Sequence, residues 1–136
     1  MSNIEQTLSI IKPDAVERNL TEKIKAIFVK NNLKILDSKK IHITKEEASE
    51  FYKVHQSRPF YDDLCAYLSS SPIFVMILEG ESAVSLNRKL MGATNPKDAE
   101  ANTIRKLYGI SIDKNSVHGS DSIENAEQEI KFFFKK

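Results

Sequence analysis

Hydrophobic positions along the chain change period several times, and each change marks an element. Thr7-Leu8-Ser9-Ile10-Ile11 reads as a strand, closed by Pro13. Leu20, Ile24, Ile27 and Phe28 recur at helical spacing, so a helix follows. The segment from Leu33 to Ile43 ends in the alternation Ile41-His42-Ile43 and predicts a second strand. Thr44, with Glu47 three residues on, predicts a boxed helix start. Ala48, Phe51, Tyr52 and His55 share one face of that helix, and Tyr61, Leu64, Cys65 and Leu68 mark another. The continuous apolar run Ile73 to Leu78 is the pattern of a central strand buried on both faces, ended by Gly80. Ala83, Leu86, Leu90 and Met91 form a helix that Gly92 stops. From Ala93 to Asn115 the pattern is mixed, with a turn at Asn95-Pro96 and helical turns between Thr103 and Tyr108. So long an irregular stretch in a small protein points to function. A brief strand around Val117 and a last helix carrying Ile123, Ala126, Ile130 and Phe133 complete the chain.

The order is strand, helix, strand, helices, strand, helix, strand, helix. It predicts an α+β, ferredoxin-like plan: a four-stranded antiparallel sheet with helices packed on one face. That plan hosts many unrelated functions. Length fits a single domain over residues 1–136, large enough to fold without staples. The net charge of +1 argues against a protein built mainly to hold nucleic acid. One cysteine, Cys65, cannot form an intrachain disulfide and fits a reducing compartment. The start lacks the pattern of a secretory signal, and the longest apolar run is too short to span a membrane. Together these predict a cytoplasmic protein.

Of the three histidines, His42 and His55 read as surface or packing residues, and no pair has metal-ligand spacing. His118 lies in Asn115-Ser116-Val117-His118-Gly119-Ser120-Asp121, after a short strand and just before a helix. Asp121 with Glu124 resembles a capping box, and Gly119 leaves room beside the ring. A neutral imidazole is a usable nucleophile at pH 7. The same residues also fit an ordinary strand–helix junction. Lys12, Arg88 and Arg105 each read alone as solvated charges. Together with Thr94 and Asn115 they supply the cations and polar donors that a polyphosphate needs. The four glycines build neither a G-x-x-x-x-G-K-[ST] nor a G-x-G-x-x-G loop, so side chains must hold any phosphates.

The segment from Asn115 to Asp121 resembles the N-x-x-H-G-S-D signature of nucleoside diphosphate kinases. Ile10-Ile11-Lys12-Pro13-Asp14-Ala15-Val16 is similar to that family's opening strand, and Arg58-Pro59-Phe60-Tyr61 to its R-P-F-[FY] segment. Met91-Gly92-Ala93-Thr94-Asn95-Pro96 resembles its G-x-T-N-P turn, and Thr103-Ile104-Arg105 its T-I-R. The resemblance implies transfer of the γ-phosphate of a nucleoside triphosphate such as ATP to a nucleoside diphosphate, by a ping-pong route through phosphorylated His118. It implies that Lys12, Arg88, Arg105, Thr94 and Asn115 contact phosphates or ribose. Phe60 would stack on the base, with Leu64 and Ile112 as an apolar clamp. Tyr52 would lie close to His118, and Glu129 would orient its ring. Mg²⁺ would arrive with the nucleotide, with no protein metal cage. The chain departs from the family at Glu22, at Asn102 before T-I-R where glycine is usual, and at Lys106-Leu107-Tyr108. Asn102 tolerates a left-handed turn.

The resemblance also implies a homo-oligomer built from dimers. After Phe132-Phe133-Phe134 only Lys135 and Lys136 remain, a tail spanning at most about 7 Å, which favours a tetramer over a hexamer. Three adjacent phenylalanines cannot all face one core, so one should lie in a subunit contact or surface patch. An RNA-binding domain of the same plan would need an aromatic-rich strand of RNP1 type. Ile73 to Leu78 carries one aromatic, so no specific nucleic acid is expected. A catalytically inactive relative would be expected to lack some of the set from Lys12 to His118.

Overall fold

The computed structural model describes residues 4–53, 56–111 and 114–134. Within them run β1 (Ile4–Ile11), α1 (Pro13–Glu17), α2 (Thr21–Lys30), β2 (Lys34–Ile41), α3 (Lys45–Phe51) and α4 (Tyr61–Leu68). These are followed by β3 (Ile73–Glu81), α5 (Ala83–Met91), α6 (Ile104–Tyr108), β4 (Val117–Gly119) and α7 (Ile123–Phe134). The four strands form one sheet in the order β2-β3-β1-β4, and every neighbouring pair is antiparallel. The apolar run from Ile73 lies in an inner strand, as its pattern predicts. Gly80 does not end that strand, because β3 continues to Glu81, opposite Ile4.

Helices cover both faces of the sheet, not one. Leu8 and Ile10 of β1 pack with Ala48, Cys65, Leu68, Ile130 and Phe133 from α3, α4 and α7. Ile11, Met76 and Leu78 pack with Phe28, Ala83, Met91 and Ile104 from α2, α5 and α6. A strand alternates its side chains between faces, so β1 and β3, apolar on both, require cover on both. The continuous apolar run carries that information; the element order alone does not.

Local signals hold where they are specific. Thr44 Oγ1 accepts from Glu47 N–H at 3.0 Å, and the Glu47 carboxylate accepts from Thr44 N–H at 2.9 Å. Such a cap contributes about 1 kcal/mol. Gly92 ends α5 at φ +85°, a conformation that costs glycine little. Asn102 takes the left-handed conformation at φ +70°. At α7 the cap is Ser122, whose Oγ accepts from Asn125 N–H at 3.1 Å, while Asp121 bonds the Asn125 side chain. The three phenylalanines do not leave one exposed. Phe133 is buried, Phe132 packs on Phe51, and Phe134 lies under the Lys39 ammonium. His55, Ile112, Lys135 and Lys136 lie outside the described residues.

Candidate active site

β4 pairs with β1 so that His118 stands opposite Ile10 and Gly119 opposite Ser9. Alternation sends the imidazole to the α3–α4–α7 side of the sheet. His118 therefore lies within the strand rather than after it. Its Nε2 is 3.2 Å from Glu129 Oε1, on α7. Ser120 Oγ donates to the same carboxylate oxygen at 2.8 Å. The Phe51 ring meets the imidazole edge-on, with centroids 5.3 Å apart. Three elements thus fix one ring. Sequence reasoning assigned no role to Ser120 or Phe51. Neither role is legible in the spacing, because neither contact is local in the chain.

Gly119 has a different reason from the one expected. A Cβ there would lie 2.3 Å from Asn87 Nδ2 and 2.9 Å from Met91 Cε. Glycine is required by the close approach of α5 on the face opposite the imidazole, not by access to the ring.

The cations are not solvated as a group. Lys12, 6% exposed, follows β1 and occupies the cap position of α1. Its Nζ donates to Asn115 Oδ1 at 2.9 Å, and Asn115 Nδ2 donates to the Thr94 carbonyl at 3.1 Å. Arg105, 8% exposed, donates from Nη1 to Gly92 O at 3.1 Å and from Nη2 to Val117 O at 2.9 Å. Its Nε is buried and has no partner among the described residues. Burial first, and the nearby Arg88 charge second, lower its pKa to about 10. A guanidinium so disfavoured is relieved by an anion. Arg88 itself, on α5, is exposed, as is Thr94. Tyr52 is buried, and burial, then the charges of Cys65 and Glu129, raise its hydroxyl above the ordinary phenol range. It stays a neutral hydroxyl.

These contacts link Lys12, Asn115, Thr94, Arg105, Arg88, Tyr52, Glu129 and His118 into one neighbourhood. Phe60 stands outside that set, which is joined by hydrogen bonds and, for Arg88 and Tyr52, by charge interactions with Arg105 and Glu129, and lies at the start of α4. It is 41% exposed, with the Arg58 guanidinium 5.9 Å from its ring centroid. Leu64 packs one turn on, against the core beneath. A cavity of about 510 Å³ between α3 and α7 is bordered by Glu129 and Phe51 but by none of the three cations. His42 lies one residue past β2, exposed, its Nε2 2.8 Å from Ser69 O.

Comparison with known proteins agrees with this geometry. Residues 5–136 match the family described as nucleoside diphosphate kinase. The nucleoside diphosphate kinase of Persephonella marina is 53% identical over 134 residues, covering 98% of this chain and 96% of that protein. That of Ruegeria pomeroyi is 56% identical over 131 residues, covering 96% and 94%. Among solved structures, Aquifex aeolicus nucleoside diphosphate kinase superposes with a TM-score of 0.96 at 40% identity, covering 97% of this chain and 96% of its own. The enzyme from Encephalitozoon cuniculi gives 0.94 at 39% identity, covering 97% and 90%. Sequence and fold therefore agree over nearly the whole chain, which belongs to the nucleoside diphosphate kinase family, a family of phosphotransferases.

Proposed function

We propose that this chain moves the γ-phosphoryl group of a nucleoside triphosphate to a nucleoside diphosphate, and that His118 carries it in between. The observation that supports this most directly is the one-sided bonding of the imidazole. Nε2 faces the Glu129 carboxylate at 3.2 Å, so Nε2 holds the hydrogen and the lone pair is on Nδ1. Nδ1 attacks the γ-phosphorus, and the bond from that phosphorus to the bridging oxygen breaks. Its electron pair leaves with the nucleoside diphosphate. In the second half the terminal oxygen of an acceptor diphosphate attacks the phosphorus, and the pair of the P–N bond returns to Nδ1. Glu129 stabilises the positive charge that the ring gains, and Ser120 holds the carboxylate in place.

Phosphoryl transfer needs positioning and charge neutralisation more than covalent help. Lys12, Arg88 and Arg105 supply the charge, and Asn115 and Thr94 supply polar contacts. A cationic donor set suits phosphate oxygens and not a bare divalent ion, so Mg²⁺ would arrive with the substrate and would add charge neutralisation to that of Lys12, Arg88 and Arg105. Tyr52, whose ring meets that of Phe51 with centroids 5.1 Å apart, supplies a neutral hydroxyl near the nucleophile. A coupled spectrophotometric assay for ATP formed from ADP and GTP tests the reading; no ATP above the uncatalysed rate would end it.

Phe60, with Leu64 one turn on, is the proposed base platform, and the family resemblance assigns Ile112 to the same clamp. Every base has a π-face, and stacking without edge-on hydrogen bonds discriminates poorly. Steady-state assays with purine and pyrimidine diphosphates should therefore show all of them accepted. A preference above about a thousandfold for one base would require a polar readout, and would remove Phe60 as the main contact.

Residues 1–136 act as one domain in this reading, and the protein works in the cytoplasm. Among the described residues no helix is long and apolar enough to cross a membrane. We also propose a homo-oligomer, favouring a tetramer of two dimers. Val29 on α2 and Leu36 on the edge strand β2 expose 61% and 40% of their surface, apolar area that a second copy would cover. Light scattering at micromolar concentration should give a multiple of the 15.5 kDa chain mass. The mass of a single chain would refute the oligomer, and that of six chains would refute the tetramer.

A further inference from the structure

The segment leading into the nucleophile is held by groups that take no part in the proposed chemistry. Ser116 sits at φ +74°, a left-handed conformation that costs a serine free energy and persists only where its surroundings impose it. Contacts to its backbone and its side chain impose it. Its carbonyl accepts from Lys12 N–H at 2.8 Å, and its Oγ donates to Asp14 Oδ2 at 2.9 Å. The longest is from Arg18 Nη2, which donates to Ser116 Oγ at 3.4 Å.

Asp14 is 5% exposed, and its carboxylate is bonded on both oxygens. Oδ1 accepts from the Tyr67 hydroxyl, and Oδ2 also accepts from Arg18 Nη2 at 3.2 Å. Tyr67 closes a ring of bonds, because its oxygen in turn accepts from Asp14 N–H at 2.8 Å. Burial, and then the Asp14 carboxylate, push the Tyr67 hydroxyl above the ordinary phenol range, so it remains a donor. Arg18 Nη2 reaches on to Tyr108 O at 2.6 Å, tying the end of α6 to the same carboxylate.

Ser116 separates Asn115, which carries the bond to Lys12 Nζ, from Val117, whose carbonyl takes Arg105. The backbone at 116 is therefore a pivot between the phosphate-facing side chains and the strand that bears His118. We propose that Asp14, clamped by Tyr67, is a positioning residue that holds Ser116 left-handed and thereby sets Lys12 and Asn115 against the nucleotide phosphates. It rests on the phosphotransfer reading above. His118 itself is held by Glu129, Ser120 and Phe51, so the two supports are separable.

The test compares two phosphoryl donors in single-turnover labelling of His118: ATP, and phosphoramidate, which has no nucleotide to position. Asp14→Asn should slow labelling by ATP on the order of 10- to 100-fold, the scale of a misplaced binding group, and slow labelling by phosphoramidate clearly less, because that donor feels the shift of Lys12 at the transferred group but has no nucleotide to misplace. Tyr67→Phe, which keeps the carboxylate and removes one donor, should show the same donor-specific loss to a smaller degree. Adding Ser116→Gly to Asp14→Asn should recover most of the ATP rate, because glycine adopts φ +74° without strain. Wild-type ATP rates in Asp14→Asn would overturn the proposal. So would parallel losses with both donors in both variants, or a double variant no faster than Asp14→Asn. A wild-type protein never labelled on His118 would instead defeat the phosphotransfer reading, and this proposal with it.

Discussion

Incubated with γ-labelled ATP and no acceptor, the protein should take up phosphate on His118, and the label should be lost in acid and kept in base. A phosphoramidate has that stability and a phosphoserine does not. The argument starts from the ring. Glu129 and Ser120 fix Nε2 as the hydrogen-bearing nitrogen, so Nδ1 alone can form the bond. A covalent intermediate divides the reaction into two half-reactions, and initial-rate plots against both substrates should be parallel, as ping-pong kinetics requires. His118→Ala should lose turnover by more than about 10⁴-fold, since removing a nucleophile leaves only binding and charge stabilisation. A label that survives acid, or that persists in His118→Ala, would sink the mechanism.

Lys12→Ala should lower kcat by about 10²-fold or more, because one preorganised cation at the transition state is worth roughly 3 kcal/mol. Its Nζ already lies against Asn115 in a buried position, so substrate binding need not order it. Arg105→Ala should cost at least as much, but for two reasons. The guanidinium also bridges Gly92 O and Val117 O, so its loss frees two carbonyls and loosens β4. Lys12 is the cleaner probe, and a thermal melt beside the kinetics separates the two effects. His42→Ala is the control. It sits exposed against Ser69 O, and its removal should leave kcat unchanged. Equal losses at His42 and Lys12 would mean that the site has been misplaced.

Much of this was legible in the chain, for reasons that can be named. The capping box at Thr44, the stop at Gly92 and the left-handed Asn102 are local: each is settled by a few neighbouring residues. Two-sided burial was also written in the run from Ile73 to Leu78, although the element order suggested cover on one face only. The candidate site was legible through motifs, and the chain brings its cations, Tyr52, Glu129 and His118 into one neighbourhood. Ser120 bonding Glu129, Phe51 meeting the imidazole, and Asp14 reaching Ser116 were not legible. Each joins residues far apart in the sequence or turned together by tertiary packing, and nothing in their spacing marks them. Gly119 shows the same limit from the other side. The glycine is conspicuous in the sequence, but its reason lies on α5, which only the fold brings near.

The strand that carries the nucleophile is the slightest in the sheet. β4 meets β1 through three residue pairs and, among the described residues, has no neighbour on its other side, whereas β1 and β3 share eight. Proteins open in parts, and a short edge strand opens at a free energy below that of global unfolding. The amides of Val117 to Gly119 should exchange with deuterium faster than those of β1 and β3. On warming, the imidazole should lose its alignment while the central ladder is still intact, so loss of activity should precede unfolding. A sample that keeps its circular dichroism after heating has kept the β1–β3 ladder, and its activity must be measured separately.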